Sequence, residues 1–291
     1  MKISKLAIFG VGLIGGSLAR ALKMAQGVDH IVGVERYSTS LTRALSLGII
    51  DSATVDVSQA VQNVDIILLA APVAQTPILL KKIAPYLHGE AIVTDVGSTK
   101  SDAVSAARSA LGDAAWRFVP GHPIAGGELS GVDAAKADLY VNRRVVLCPQ
   151  SENRIQDVAR VRSMWHMAGA EVCEMSASQH DGIFAAVSHL PHVLSYALVA
   201  QILDTPAASL KFDFAGGGFR DFTRIAASNP EMWRDICIAN RDALLHEIDA
   251  YLRTLGMLRT LIDAGNGDCL EKIFTRASQT RMQWAKQQEK P

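Results

Sequence analysis

Nearly continuous apolar runs of four to six residues alternate with longer amphipathic or alanine-rich stretches along the first half of the chain. Such runs are typical of strands buried on both faces, and the stretches between them have the spacing of helices. Strands of this kind separated by helices predict a parallel, doubly wound α/β sheet. The predicted strands are residues 5–10, 30–35, 65–70, 91–95, 116–119 and 144–147, with helices over 17–24, 40–47, 76–86 and 101–110.

The pattern changes after about residue 150, where helices replace the alternation. The predicted elements there are a helix at 151–168, a last strand at 170–174 and helical runs at 176–203, 231–255 and 266–286. Pro191 lies inside the first of these runs and predicts a kink. Helices this apolar need partners, and a second copy of the chain is the economical source. We therefore predict a sheet domain at 1–170 and an all-helical dimerisation domain at 171–291.

Composition narrows the class of protein. The 291 residues include 29 basic and 29 acidic side chains, so no field of one sign points to nucleic acid or an anionic membrane. Four cysteines lie far apart without a CxxC pair, which is typical of a reduced, cytoplasmic protein. The longest apolar run, residues 66–71, is too short to cross a bilayer. Glycines and Arg20 interrupt the apolar N-terminus, which argues against a signal peptide.

A glycine motif, Gly10-Val11-Gly12-Leu13-Ile14-Gly15, follows the first predicted strand and opens a helical pattern. Glu35 stands twenty residues beyond Gly15, at the end of the next predicted strand. This context is the fingerprint of a Rossmann-type dinucleotide site, in which residues 10–15 surround the pyrophosphate at the helix N-terminus. A purely structural glycine turn is the alternative interpretation.

The choice between NAD and NADP depends on two adjacent residues. Glu35 would accept hydrogen bonds from the adenosine ribose and repel a 2′-phosphate, which favours NAD. Arg36, with Ser38 and Thr39 nearby, would instead receive that phosphate. We expect NAD or NADP, with NAD favoured.

His122 stands between Gly121 and Pro123, directly after a predicted strand. We expect a tight loop at the carboxyl edge of the sheet, where ligands of doubly wound folds bind. Its unperturbed pKa suits proton transfer near neutrality, whereas a simple turn histidine would only donate to a carbonyl.

Three further segments carry candidate chemistry. Ser98 and Lys100 follow the fourth predicted strand, where Ser98 would hydrogen-bond a ligand or His122 and Lys100 would attract a carboxylate; helix capping is the alternative. His189 and His192 lie three residues apart, on one face of a predicted helix. Three interpretations fit such a pair: metal ligands, a hydrogen-bonded core pair, or cations for an anionic substrate. Neither an HExxH motif nor a cysteine partner accompanies them, so we predict no metal.

The third segment, residues 216–224, joins three glycines to Arg220 and Arg224. Two arginines near a helix start oppose its dipole, so an anion should compensate them. Asp221 is the simple candidate. The alternative is a substrate carboxylate gripped by one guanidinium.

Together these segments resemble the prephenate/arogenate dehydrogenases of tyrosine biosynthesis. The matching motifs are GxGxxG at 10–15, DxGSxK at 95–100, GHPIAGGExSG at 121–131, SHLPH at 188–192 and GGGFRDFTRIA at 216–226. The resemblance spans nearly the whole chain. It implies oxidative decarboxylation of prephenate or arogenate with hydride transfer to NAD(P), in a homodimer formed through the helical domain.

The resemblance also implies roles for individual residues. His122 would be the base, Ser98 would orient it or the substrate hydroxyl, and Arg224 would bind the ring carboxylate. His192 and Glu128 would face the substrate side chain, and Gly217 would reach a neighbouring subunit's site. Prephenate and arogenate differ only in a keto or amino group, so both substrates stay open.

Two rival hypotheses remain open. A non-catalytic NAD-sensing dimer would need the glycine motif but would have no use for His122, Ser98 and Arg224 together. An enzyme acting on another small acid would use the same fold.

Overall fold

The computed structural model describes residues 2–35, 38–127 and 129–288. The chain divides into two compact units, Met1–Arg241 and Asp242–Pro291. The predicted domain boundary at residues 170/171 falls inside the first unit, so it stays a prediction.

A six-stranded parallel sheet with strand order β3-β2-β1-β4-β5-β6 forms the centre of the first unit. The order reverses at β1, as in doubly wound folds, and this confirms the predicted fold class. The strands are β1 (Ile3–Phe9), β2 (Val28–Val34), β3 (Ser52–Thr54), β4 (Ile66–Leu69), β5 (Ile92–Asp95) and β6 (Phe118–Val119). The three-residue β3 lies at one edge and was not among the predicted strands.

Both faces of this sheet are covered, which explains its continuous apolar strands. Ile8 and Leu68 belong to one core, with Trp165 from the helix at Ile155–Met167. Ile67 and Leu80 belong to a second core on the opposite face. Because neighbouring strand residues point to opposite faces, a strand between two layers must be apolar at every position.

A second, three-stranded sheet has the order β7-β8-β9. Its strands are β7 (Gly121–Pro123), β8 (Arg144–Leu147) and β9 (Glu171–Glu174). β7 is antiparallel to β8, and β9 is parallel to it. The prediction that residues 144–147 join the parallel sheet, and that His122 lies on a loop, is wrong. Pro120 ends β6 after two residues, and the chain re-pairs at once with β8.

Helices connect and follow the strands. In the first unit they are α1 (Leu13–Met24), α2 (Ser38–Ser46), α3 (Val57–Ala60), α4 (Thr76–Ile83), α5 (Ser101–Leu111), α6 (Ile155–Met167), α7 (Ala177–Phe184), α8 (Leu190–Leu203), α9 (Ala208–Asp213), α10 (Gly217–Thr223) and α11 (Pro230–Ala239). Short 3₁₀ turns fill several connections, and the one at Gly112–Arg117 replaces the start of the predicted strand at 116–119.

The predicted long helix at 176–203 contains a π-helical turn at Ala185–His189, which separates α7 from α8, and Pro191 follows this turn as the second residue of α8. The kink predicted at Pro191 stays a prediction. π-Helical turns are rare and often occur at functional sites.

Within the described residues, the helical stretch Ala177–Leu203 is long and apolar enough to cross a membrane by length and composition, with a mean hydropathy of 1.5. Core helices of soluble proteins pass the same test. In this chain the stretch carries His180 and Asp181, which are hydrogen-bonded to each other, and Asp181 binds the start of α5. We interpret it as part of the folded first unit.

The second unit is built from helices α12 (Arg241–Asp263) and α13 (Gly267–Gln288). Both expose large apolar side chains to solvent. They include Leu252, Leu255, Ile262, Phe274 and Met282.

Candidate active site

The glycine motif forms a tight turn from β1 into α1. Gly10 has φ of +104°, and a Cβ there would lie 2.4 Å from the Ala70 carbonyl oxygen. A Cβ on Gly15 would lie 2.2 Å from the Gly10 oxygen, so helix and strand pack closely only with glycine at this position. Among the described residues, a Cβ on Gly12 would meet nothing within 4 Å, and no side chain caps α1. The backbone amides of the first turn of α1, which begins at Leu13 and Ile14, are therefore available to an anion.

Glu35 stands directly after β2 and turns back to this motif. Its Oε1 accepts a hydrogen bond of 2.8 Å from the Val11 backbone N–H. A carboxylate is thus held beside the glycine turn, where the ribose of a dinucleotide binds in such folds. Arg36, the competing phosphate ligand, lies outside the described residues.

A buried ion pair joins the ends of β5 and α5. The Lys100 ammonium pairs with the Asp95 carboxylate and donates to the Gly121 carbonyl oxygen at 2.8 Å, and Lys100 is completely buried. Asp95 also accepts hydrogen bonds from the backbone N–H groups of Gly97 and Gly121, each at 3.0 Å. The prediction that Lys100 binds a substrate carboxylate is wrong, because its charge is already compensated inside the protein.

This ion pair clamps the strand that carries His122. Both backbone groups of Gly121 bond to it, so the position of the next residue is fixed relative to the carboxyl end of β5. His122 itself is partly exposed.

His122 is hydrogen-bonded to a second histidine. Its Nδ1 lies 2.8 Å from Nε2 of His180 on α7. This contact is made with His180 rather than with the predicted Ser98. Desolvation by its neighbours, followed by the charges of His180 and Lys100, lowers the pKa of His122 well below its ordinary value. The ring is therefore uncharged at neutral pH.

Asp181 continues this chain of contacts. Its Oδ1 lies 2.8 Å from Nδ1 of His180, and its two oxygens accept the backbone N–H groups of Lys100 and Ser101 at 2.8 Å each. Burial acts to raise the pKa of Asp181, but the hydrogen bonds from His180 and Ser101 outweigh it and lower the pKa. Asp181 is thus an anion at the N-terminus of α5, as the helix dipole favours.

His189 is a core residue rather than the predicted substrate ligand. It is almost fully buried, and its Nδ1 lies 3.0 Å from Nδ2 of Asn240. The same Nδ2 donates to the Asp181 carbonyl oxygen. Burial lowers the pKa of His189 to about 4, while a Ser98 backbone group beside the ring acts in the opposite direction. The alternative of a hydrogen-bonded core pair is supported only for the burial of His189, because the hydrogen-bond partner of its Nδ1 is Asn240 rather than His192.

His192 has a different environment. Its ring stacks on Trp233, with centroids 3.5 Å apart, and its Nδ1 lies 2.9 Å from the Ser188 carbonyl oxygen. Burial lowers its pKa, and the positive charge of Arg224 acts in the same direction. Arg224 is exposed, and it lies close enough to His192 to influence the charge of that ring.

Two hydrogen bonds, one before and one after Arg224 in the sequence, hold this segment against α8. Ser195 donates to the Phe222 carbonyl oxygen at 3.2 Å, and the Tyr196 hydroxyl donates to the Ser228 carbonyl oxygen at 2.7 Å. The structure thus brings Arg224 beside His192, with Gly217 at the start of α10, the helix that precedes Arg224.

The histidines form one electrostatically connected group. His189 influences the pKa of His122, and His180 and His192 influence that of His189. Ser98, half-buried, joins the group through its backbone. Glu128 lies outside the described residues. In the described part of the chain, no three His, Cys, Asp or Glu side chains form a group that would hold a metal.

Four residues of the site were missed from the sequence: Asp95, His180, Asp181 and Trp233. Asp95 was visible in the DxGSxK motif and His180-Asp181 as an adjacent pair, but neither signal names a partner distant in sequence. Trp233 lies in a helix where an aromatic side chain ordinarily indicates core.

A dinucleotide turn and an uncharged histidine, both at the carboxyl edge of one doubly wound sheet, define a nicotinamide-dependent dehydrogenase. The sequence model described as "Prephenate dehydrogenase, nucleotide-binding domain" matches residues 18–174, and "Prephenate dehydrogenase, dimerization domain" matches 176–276. The chain belongs to the prephenate dehydrogenase family and is an NAD(P)-dependent enzyme.

Individual relatives agree over nearly the full length. The prephenate dehydrogenase of Bacillus subtilis is 36% identical, covering 94% of this chain and 74% of that protein. The crystal structure of Aquifex aeolicus prephenate dehydrogenase with hydroxyphenyl propionate and NAD+ is 35% identical, with a TM-score of 0.91 over 97% of this chain and 99% of that one. Synechocystis arogenate dehydrogenase is 31% identical, with a TM-score of 0.82 over 96% and 99%.

Proposed function

We propose that this protein catalyses the oxidative decarboxylation of prephenate, arogenate or both, giving 4-hydroxyphenylpyruvate or tyrosine. The observation that carries the proposal is His122, an uncharged imidazole fixed at the carboxyl edge of a dinucleotide-binding sheet. Its relatives include one protein named for each substrate.

The residues present fit a nicotinamide dinucleotide. Gly10 and Gly15 allow the tight turn and the close packing of α1 on β1, and Gly12 leaves open space at the start of α1, where Leu13 and Ile14 complete the turn. Bound NAD(P)+ supplies the acceptor for the hydride that leaves C4 of the substrate ring. Glu35 beside Val11 favours NAD, and the Aquifex aeolicus relative was crystallised with NAD+.

His122 is the proposed base. It accepts the hydrogen bond of the C4 hydroxyl and takes its proton as hydride leaves C4. The bond between C1 and its carboxylate then breaks, releasing CO2, and its electron pair makes the ring aromatic. Return of the proton to the new phenol oxygen completes the balance, so one hydride is the net transfer. Ser98 would orient His122 or the substrate hydroxyl.

Arg224 is the proposed ligand of the ring carboxylate, through a charge-assisted hydrogen bond. His192 stands beside it and would face the substrate side chain together with Glu128. Gly217 would approach the site of a neighbouring subunit. The active form would then be a homodimer, in keeping with the matched dimerisation domain, and a cytoplasmic location fits relatives of this kind.

The test is a kinetic comparison of prephenate and arogenate, each with NAD and with NADP. Reduced nicotinamide should appear by absorbance with release of one CO2 per hydride in at least one pairing. His122→Asn should lower kcat by about 100-fold or more with little change in KM. Absence of turnover in all four pairings, with dinucleotide binding intact, would favour the NAD-sensing dimer instead.

A further inference from the structure

We infer that His180 and Asp181 are positioning residues that hold His122 in a single tautomer, with the lone pair of its Nε2 available to the substrate. The inference rests on the proposed function, in which His122 accepts the hydroxyl proton. Only one of the two ring nitrogens of a neutral His122 can accept that proton, and the hydrogen bond at the other nitrogen decides which one it is.

Asp181 is the fixed end of this series of hydrogen bonds. Backbone N–H groups of Lys100 and Ser101 donate to its two oxygens, and a backbone N–H can only be a donor. Both oxygens of Asp181 are therefore acceptors, and because these hydrogen bonds lower the pKa of the carboxyl, Asp181 is ionised at neutral pH. The 2.8 Å contact from its Oδ1 to Nδ1 of His180 then requires that Nδ1 carries a proton.

The next link follows from the chemistry of a neutral imidazole. Such a ring carries one N–H and one lone pair, so a proton on Nδ1 leaves Nε2 of His180 as an acceptor. That nitrogen lies 2.8 Å from Nδ1 of His122. His122 Nδ1 must then be the donor, and the lone pair of His122 falls on its other nitrogen, Nε2. All hydrogen bonds in the chain point toward Asp181.

The opposite polarity would disable the base. If Nε2 of His180 carried the proton, His122 Nδ1 would be the acceptor, and a neutral His122 would present Nε2–H to the substrate. A donor at that position cannot remove the hydroxyl proton. The anionic Asp181, two hydrogen bonds away, thus selects the reactive form of His122.

The same series of hydrogen bonds stabilises the protonated form of His122. The cationic ring donates from Nδ1 to His180, a charge-assisted hydrogen bond that is stronger than a neutral one. Asp181 supplies the compensating negative charge. Phe184 packs against both rings, with centroids 4.9 Å from His122 and 4.5 Å from His180, so the two imidazoles keep their mutual orientation.

His180 is the better position for a test than Asp181. Asp181 also binds two backbone amides at the start of α5, so its removal would disturb the fold directly. His180→Leu removes the acceptor for His122, whereas His180→Gln restores a neutral acceptor through its amide oxygen. His88→Leu, at an exposed histidine outside this site, is the matched control.

The direct measurement is nitrogen NMR of the whole protein labelled at histidine, with His122→Asn assigning the His122 signals. In the native protein we expect Nδ1 of His122 to be protonated and Nε2 to be bare. In His180→Leu we expect this preference to be lost, while His88→Leu retains it. The native spectrum alone tests the inference if a His180 variant fails to fold.

Kinetics provide the second measurement, with the best of the four substrate pairings. We expect His180→Leu to lower kcat by about 10–100-fold, the range found when a partner that orients a metal-ligating histidine is lost. KM should change less than kcat, and His180→Gln should recover part of the loss. The pH profile should shift as well, because His180 contributes to the pKa of His122 together with the charges of Lys100, His189 and Asp181.

Two results overturn the inference: a native His122 protonated on Nε2, or native kcat and tautomer in His180→Leu. If His122→Asn is inactive in that case, the proposed function stands and only the role of His180 is lost. If His122→Asn is fully active, the proposed base is wrong whatever the tautomer.

Discussion

Suppressed charge is the common property of the histidines in this site. Burial or desolvation lowers the pKa of four histidines, so all four rings are neutral at neutral pH. They are His122, His180, His189 and His192. In the proposed mechanism, the neutral His122 is ready to accept a proton and Arg224 supplies the positive charge. One small site would thus both bind an anion and abstract a proton.

This suppression predicts acid sensitivity of the fold. The pKa of His189 is lowered to about 4, below its unfolded value of 6.5, so between these values only the unfolded chain binds the proton. Stability should therefore fall as pH drops from 6.5 toward 4, by on the order of 3 kcal/mol from this residue. Urea unfolding at several pH values measures it. His189→Gln should flatten the pH dependence, and an unchanged slope would contradict the assignment.

Arg224 allows a second prediction at this scale. Arg224→Ala removes a charge-assisted hydrogen bond of about 1.5–3 kcal/mol, so KM for the cyclohexadienyl substrate should rise roughly 10–150-fold. KM for the dinucleotide should stay constant. Arg224→Lys keeps the charge but not the bidentate geometry, so its KM for this substrate should lie between those of the native protein and Arg224→Ala. A KM unaffected by Arg224→Ala would assign the ring carboxylate to another group.

Among the elements, the turn from β1 into α1 separates two roles of glycine. Gly15 is required by packing, since a Cβ would collide with the Gly10 backbone, whereas a Cβ on Gly12 meets open space. That space is where we propose the pyrophosphate approaches. Stability and cofactor binding should therefore depend on different glycines of the same motif.

We predict that Gly12→Ala leaves the melting temperature nearly unchanged but weakens dinucleotide binding at least about tenfold, or about 1.4 kcal/mol. Gly15→Ala should lower the melting temperature itself. Thermal unfolding without ligand and dinucleotide titration by fluorescence give both numbers. A Gly12→Ala protein that binds normally would move the phosphates away from this turn.

The ion pair between β5 and α5 gives the other prediction for elements. Lys100→Met leaves the Asp95 carboxylate buried without its cation, which should cost about 3–5 kcal/mol of unfolding free energy. Lys2→Met breaks the exposed pair with Asp29 and should cost below about 1 kcal/mol. Denaturant titration compares the two. Equal losses would mean that Lys100 does not compensate Asp95.

How far sequence predicts structure also differs between elements. The four central strands β1, β2, β4 and β5 were predictable because burial on both faces leaves continuous apolar runs, and the glycine turn was predictable from its motif. The transfer of the chain from β6 to β7 was not, since Pro120 marks an end but not a new partner. Sequence alone likewise assigned Lys100 to a substrate carboxylate, because the spacing of a motif does not reveal that the carboxylate of Asp95 is its partner. His180-Asp181 stayed hidden since its partner, His122, is 58 residues away.

Across the whole molecule, the two compact units differ in how they use apolar side chains. The first encloses them on both faces of a sheet, whereas the second, residues 242–291, leaves many on the surface of α12 and α13. An apolar surface of this kind is typical of a site that another protein covers. The proposed homodimer would bury it by two-fold symmetry.

We predict that the double variant Leu252→Glu/Phe274→Glu is monomeric by light scattering after gel filtration, because charges replace apolar side chains that are more than half exposed. Ile155→Glu, at an 89% exposed isoleucine of the first unit, should remain dimeric. Activity should fall with the dimer if Gly217 completes a neighbour's site. A variant that stays dimeric would place the interface elsewhere.

The π-helical turn at Ala185–His189 sets the angular offset between α7 and α8. One residue corresponds to about 100° of rotation in an α-helix. Shortening this turn by a single residue would leave every downstream hydrogen bond of α8 possible, yet swing His192 around the helix axis and away from its stacking partner. The angle around the helix axis between His180 on α7 and His192 on α8 thus depends on this one π-helical turn. A chimera that takes this helical segment from a homologue should therefore need the π-helical turn more than it needs any single side chain of the segment.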